Sequence, residues 1–194
     1  MGTVLIIATL DTKSEEAYYL RDEIAANGQN PLIMNTGMFL PFEGEADITA
    51  EEVVREGSGM EIKDLLVLKN KGRCIDAVIK GAEVITKRLY DQGVFDAVIG
   101  LGGAQGTNIG TAAMRTLPFG VPKFMVATVA SGTATFGPFV GTKDIIMMHP
   151  ICDIQGLNVV TRKVIENAAA AVCGMVKREE TRSPADAEKK SKGS

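Results

Sequence analysis

Tryptophan is absent from this chain, and aromatic residues make up only 5% of it. Stacking platforms for bases or sugars are therefore scarce, because they need exposed aromatic faces. A basic excess is missing too: 21 Lys and Arg stand against 24 Asp and Glu, for a net charge of −3. A surface of that sign does not draw in phosphate backbones, so no nucleic-acid partner is expected. Histidine occurs once, at His149. The three cysteines, Cys74, Cys152 and Cys173, are far apart. That odd, scattered count suits a reducing cytoplasm better than a disulfide framework. No apolar run approaches the roughly 20 residues of a membrane span. The apolar residues 3–8 follow no basic region of the kind that opens a secretion signal. A cytoplasmic protein without a membrane partner is the expectation.

What is present is enough apolar material for a core. The 194 residues are 45% hydrophobic and 23% charged, the balance of a globular domain. Short β-branched runs alternate with helical patterns. Residues 3–9, 31–35, 94–101, 123–129 and 144–148 read as strands, mostly apolar throughout and so buried on both faces. Helical patterns fill 12–26, 49–57, 71–92 and 158–177, and residues 60–69 read as helix over strand. Thr12-x-x-Glu15 and Thr49-x-x-Glu52 both have capping-box spacing. Strands alternating with helices predict an α/β fold: a Rossmann-like, three-layer domain with a mostly parallel sheet of about five strands. It spans 1–177. Residues 178–194 hold no apolar residue larger than alanine and read as a polar, disordered tail.

The chain is organised around the stretch from Val94 to Arg115. An apolar strand runs into Gly102, Gly103, Ala104, Gln105, Gly106 and Thr107, and a helix follows. Such a turn presents the first N–H groups of the helix, which have no partner within it and sit at the positive end of its dipole. Glycine lets an anion approach because no Cβ stands in the way. No Lys-Ser/Thr pair follows the last glycine, so this is not a Walker-type loop, and the next strand ends without the acidic residue of a dinucleotide fingerprint. A tight turn that brings helix and sheet close, at Gly106 and Gly110, is the plainer alternative.

Three other polar turns follow strands: Asp11, Thr12 and Lys13 after the first, Asn35 and Thr36 after the second, and Ser131, Gly132 and Thr133 after the fourth. In a parallel sheet these points share one edge, where open α/β sheets bind ligands. An anionic ligand is therefore expected there. Asp11 would face it, through Mg²⁺ or a direct hydrogen bond, and Asp144 and Asp153 are further Mg²⁺ candidates. The loop 38–48 carries Phe39, Leu40 and Phe42, either as a lid or partner surface or tucked into the core, the latter favoured. Met38, Phe39, Phe42, Phe136 and Phe139 make self-association an expectation. No G-x-S-x-G elbow accompanies the lone histidine. His149, Cys152 and Asp153 alone make a poor metal site, so no metal ligands and no catalytic residues are assigned.

Three segments together, Ile6 to Lys13 (IIATLDTK), Gly100 to Thr107 (GLGGAQGT) and Met125 to Gly132 (MVATVASG), resemble the amino-terminal domain of the tomato mosaic virus resistance protein family. The resemblance covers about residues 1–177. It implies an ATP-binding domain; together with the Mg²⁺ candidates read from the aspartates, ATP with an accompanying Mg²⁺ is the cofactor expectation. It also implies a second domain resembling barrel-type phosphoenolpyruvate-utilising enzymes, which this chain does not include. The antiviral role of the plant member is not carried over. Two readings follow: a nucleotide-binding domain that works with a second domain or polypeptide, or an enzyme acting on a small phosphorylated or carboxylated metabolite at the same glycine-rich site.

Overall fold

Strand β1 (Thr3–Ala8) has five consecutive fully buried residues, Val4 to Ala8, because it lies inside the sheet with helices over both faces. The computed structural model of the chain describes residues 1–131 and 137–180, with backbone alone for 179 and 180. Along it, β1 is followed by α1 (Leu10–Ala26), β2 (Asn30–Asn35), α2 (Ala50–Ser58), α3 (Ile62–Val67), α4 (Lys71–Asp91), β3 (Ala97–Gly102), α5 (Ala104–Arg115), β4 (Lys123–Ala127), α6 (Gly137–Val140), β5 (Ile146–Met148) and α7 (Val159–Glu180). The strands form one parallel sheet in the order β2-β1-β3-β4-β5. The expected α/β three-layer architecture is therefore the observed one.

The period-2 alternation of side chains divides the core into two slabs. Val4, Ile6, Ile99, Leu101, Phe124 and Val126 face α1 and α7. Leu5, Ile7, Val98 and Met125 face α2, α4 and α5. The second slab is closed by a backbone-to-backbone crossing of α2 and α4. A Cβ at Gly57 would lie 1.9 Å from the Ala77 carbonyl oxygen, and one at Gly81 would lie 1.8 Å from that of Val53.

Helix α2 starts as its spacing predicts: the Thr49 hydroxyl accepts from Glu52 N–H at 3.2 Å and the Glu52 carboxylate accepts from Thr49 N–H at 2.8 Å. Helix α1 departs from its prediction. It begins at Leu10, not after Thr12, with Thr9 as a cap that makes no side-chain bond. The Thr12 hydroxyl turns back to the Thr9 carbonyl at 3.3 Å, and Lys13 (φ −134°, ψ 25°) kinks the first turn. The physical reason lies outside the segment. Asn35, at the end of β2, accepts the Leu10 N–H on its Oδ1 at 3.1 Å, so the neighbouring strand supplies the missing cap. Strand ends are also shorter than predicted: β3 starts at Ala97, β4 stops at Ala127 and β5 starts at Ile146. The short α6 lies in a stretch predicted as loop, and α7 continues three residues beyond Lys177.

At the edge of the sheet where the strands begin, Lys123 is fully buried. Its ammonium donates at 2.8 Å to the Pro118 and Val121 carbonyls and to Asp144 Oδ1. Three acceptors for three protons make this buried charge tolerable. Asp144 is thus engaged at the edge opposite Asp11, and these two aspartates do not share a Mg²⁺ site as predicted. No helix of the described residues is long and apolar enough to cross a membrane.

Candidate functional site

In this strand order the chain leaves β1 toward one side and β3 toward the other. The loops after β1 and β3 therefore diverge and leave a crevice between them at the ends of the strands. A cleft of about 360 Å³ lies there, lined by Thr9, Asp11, Thr12, Lys13, Phe39, Leu40 and the run Gly103 to Gly106.

One wall is the start of α5. Gly103 is the N-cap (φ −74°, ψ −161°) and makes no side-chain cap bond, as glycine has none to offer. The first bond of the helix is Thr107 N–H to the Gly103 carbonyl at 2.8 Å. The N–H groups of Ala104, Gln105 and Gly106 meet no acceptor among the described residues. Gly102 serves the tight return of the chain: a Cβ there would lie 2.9 Å from Gly106 Cα. Gly103 is different. Among the described residues a Cβ there would meet only Thr128 Oγ1, at 3.8 Å, so none of them demands a glycine by packing at the mouth of the helix. Thr107 is fully buried, and its hydroxyl lies 3.4 Å from the Gly102 carbonyl. It braces the turn from beneath.

The opposite wall is the kinked first turn of α1. The only hydrogen bond from the Lys13 ammonium among the described residues goes to the Thr12 carbonyl, at a long 3.4 Å, and no described carboxylate pairs with it. Lys13 and the positive end of the α5 dipole line the same cleft. Two like-signed features facing one cleft repel each other unless an anion lies between them.

The third wall is the loop after β2. Asp11 Oδ2 accepts from Phe39 N–H at 3.0 Å and from Leu40 N–H at 3.3 Å. Asn35 is buried, and besides capping α1 it accepts Gly37 N–H at 2.8 Å. Thr36 is buried and its N–H bonds to the Ala8 carbonyl at 2.9 Å. The structure therefore brings Asp11, Thr12, Lys13, Gly103, Ala104, Gln105 and Gly106 to one cleft. Gly102, Thr107, Asn35 and Thr36 are not among its lining; the Thr107 hydroxyl, Asn35 Oδ1 and the Thr36 N–H are engaged within the protein, and Asn35 lines the larger cleft beyond the loop. Ser131 is exposed and not among the cleft's lining, while Gly132 and Thr133 lie outside the described residues.

Phe39, Leu40 and Thr9 line the cleft without having been predicted as site residues. For Phe39 and Leu40 the only sequence signal was apolar residues in a loop after a strand. Met38 is buried, and Phe39 and Phe42 pack against the two core slabs. Leu40 remains 55% exposed. On the far side of this loop a second cleft of about 730 Å³ opens over α2 and α3, and Phe39 and Leu40 line it too. Among the described residues no three His, Cys, Asp or Glu side chains converge as a metal site would require.

Residues 2–181 match the uncharacterised protein family (UPF0261) N-terminal domain. A UPF0261 protein of Clostridium tetani is 39% identical over 174 residues, which cover 90% of this chain and 42% of that protein. One from Rhizobium meliloti is 39% identical over 187 residues, covering 94% and 45%. The ToMV resistance protein Tm-1(GCR237) of Solanum lycopersicum is 39% identical over 106 residues, 55% of this chain and 14% of the tomato protein. The chain spans less than half the length of these bacterial relatives. With nearly its whole described length matched, the chain belongs to the UPF0261 family and carries that family's N-terminal domain.

Proposed function

We propose that this chain is a nucleotide-binding domain that takes ATP by its phosphates in the cleft between α1 and α5. The observation that carries the reading is the uncapped start of α5. Among the described residues, three N–H groups without acceptors and a glycine N-cap whose Cβ position is open share one cleft with Lys13. Partial and full positive charges held apart in this way are satisfied by phosphate oxygens. A Mg²⁺ would arrive on the phosphates, since such ions commonly use few protein ligands. The bacterial relatives are more than twice as long as this chain, which supports a second domain acting with this one. The resemblance to the tomato protein's family gives that domain its barrel-type expectation. Three free cysteines, two of them buried, support a cytoplasmic setting.

The test is calorimetry and thermal shift with ATP, with and without Mg²⁺, on the wild type and on Gly103→Val. The variant should fold, because Gly103 has a negative φ and room for a side chain. It should lose ATP affinity, because a branched side chain would stand over the helix start. A ligand at 100 times its dissociation constant should stabilise the wild type by about 2.7 kcal/mol. No response of the wild type, or equal affinity in the folded variant, would end this reading.

A second reading is an enzyme acting on a small phosphorylated or carboxylated metabolite. The cleft volume of about 360 Å³ favours it, being near the lower end for ligand pockets. The two readings part on turnover. The binding domain alone should process ATP far more slowly than about 1 per second, an ordinary enzyme rate. Multiple turnovers at that rate would favour the enzyme.

A further inference from the structure

We infer that Asp11 is a positioning residue: it holds the Phe39–Leu40 wall of the α1–α5 cleft and does not itself touch the ligand. The inference rests on the ligand reading above for its affinity arm only.

The loop between β2 and α2 is fixed at both ends. Gly37 N–H donates to Asn35 Oδ1 at 2.8 Å. At the far end, Asn35 N–H and the Ile48 carbonyl pair at 2.9 Å, Ile48 N–H returns to the Ile33 carbonyl at 2.9 Å, and Ile33 N–H donates to Asp47 Oδ2 at 2.7 Å. Tyr18 O–H donates to the Glu45 carbonyl at 2.9 Å. Between these anchors the backbone of Phe39 and Leu40 has one attachment among the described residues, the Asp11 carboxylate. Both residues line the ligand cleft on one side and the larger cleft on the other. Asp11 therefore determines where the partition between the two clefts stands.

The carboxylate is also hemmed in. A Cβ at Gly37 would lie 2.3 Å from Asp11 Oδ1, so the second oxygen is pressed against the loop that the first one holds. Gly37 has no positive φ to explain its identity. What it provides is space for Asp11. The carboxylate thus has one oxygen spent on two N–H groups and the other turned to Gly37. A negative group so placed is also a poor partner for phosphates, whereas the N–H groups it accepts from are consumed and offer the ligand nothing. Asp11 contributes to binding by shape.

The experiment uses three variants, Asp11→Asn, Asp11→Ala and Gly37→Ala, with circular dichroism to confirm folding. Two quantities are read: amide hydrogen exchange at Phe39 and Leu40, and ATP affinity with and without Mg²⁺. An asparagine oxygen can still accept both N–H groups. Asp11→Asn should therefore retain exchange protection and keep affinity within about threefold, the two bonds surviving without charge assistance. Asp11→Ala should lose protection at both amides and lose about tenfold or more in affinity. Gly37→Ala should do the same with Asp11 intact, by displacing its carboxylate. An affinity loss in Asp11→Asn as large as in Asp11→Ala, with protection retained, would mean that the charge meets the ligand or its metal, and would overturn the inference. Wild-type exchange at Phe39 and Leu40 in Asp11→Ala would overturn it whatever the affinities. Failure of the wild type to bind ATP would remove the ligand reading alone, and the exchange data would still decide what Asp11 holds.

Discussion

Lys123 carries a full charge into a place with no solvent, at the start of β4, and the molecule meets that cost with three acceptors. Asp144 is the only charged one. Its side chain is 31% exposed, so water can partly replace it. Asp144→Ala should destabilise the domain by about 3 kcal/mol, the lower end for breaking a buried pair, as read by urea unfolding. A loss within about 0.5 kcal/mol, as at ordinary surface sites, would show that the carbonyls alone suffice. The pair also sets a pH dependence. Burial works to raise the Asp144 carboxyl, but hydrogen bonds from the Lys123 ammonium and Gly120 N–H outweigh it and hold the group below its ordinary value. A carboxyl depressed in the folded state stabilises fully above its unfolded value, about 3.9. That contribution fades as pH falls through the lower, folded value. Unfolding followed from neutral pH downward should show the wild type losing stability in this acid window and Asp144→Asn losing less.

Helix α2 and helix α4 meet so closely that their contact is glycine on carbonyl in both directions. In an exposed helix, alanine would be better than glycine by about 1 kcal/mol. At Gly81 the sign should reverse, because its Cβ would lie 1.8 Å from a backbone oxygen, which cannot rotate away. Gly81→Ala should destabilise by about 1–3 kcal/mol as the helices are pushed apart. A stabilised Gly81→Ala in thermal unfolding would refute the close crossing. The start of α1 shows how one element depends on another. Its local spacing, Thr12-x-x-Glu15, predicted a self-contained cap. The observed cap is Asn35, 25 residues away in sequence, and the local signal held no trace of it. At Thr49 the partner is three residues away, within the reach of a spacing rule, and prediction and structure agree.

Among the described residues, an exposed apolar run borders the larger cleft. Leu40 and Leu66 line the same larger cleft, and Val67 and Leu68 continue the exposed run at 75% and 43%. The loop residues predicted to drive association are mostly occupied: Met38, Phe39 and Phe42 pack inward, Phe139 is half-buried, and Phe136 lies outside the described residues. We propose the Leu66–Leu68 run, which borders the larger cleft, as the surface for self-association. Light scattering should report a mass above the monomer's 20.6 kDa at high concentration, and Val67→Lys should return it to monomer. A wild type that stays monomeric would refute this. By itself the sequence determined the alternation of strands and helices, the burial of β1, β3 and β4 on both faces, the α2 capping box and the glycine turn before α5. Each of these is written in spacings of a few residues, which local sterics and periodicity read directly. Only the tertiary structure decided the strand order, and with it which two of the four polar turns face each other across a cleft. It alone decided that Asn35 serves α1, that Asp11 serves the loop at Phe39, and that Asp144 serves Lys123 at the far edge. Those pairings join residues 21 to 28 positions apart. A periodic pattern specifies which side of an element is buried, but the partner that buries it is chosen when the elements assemble.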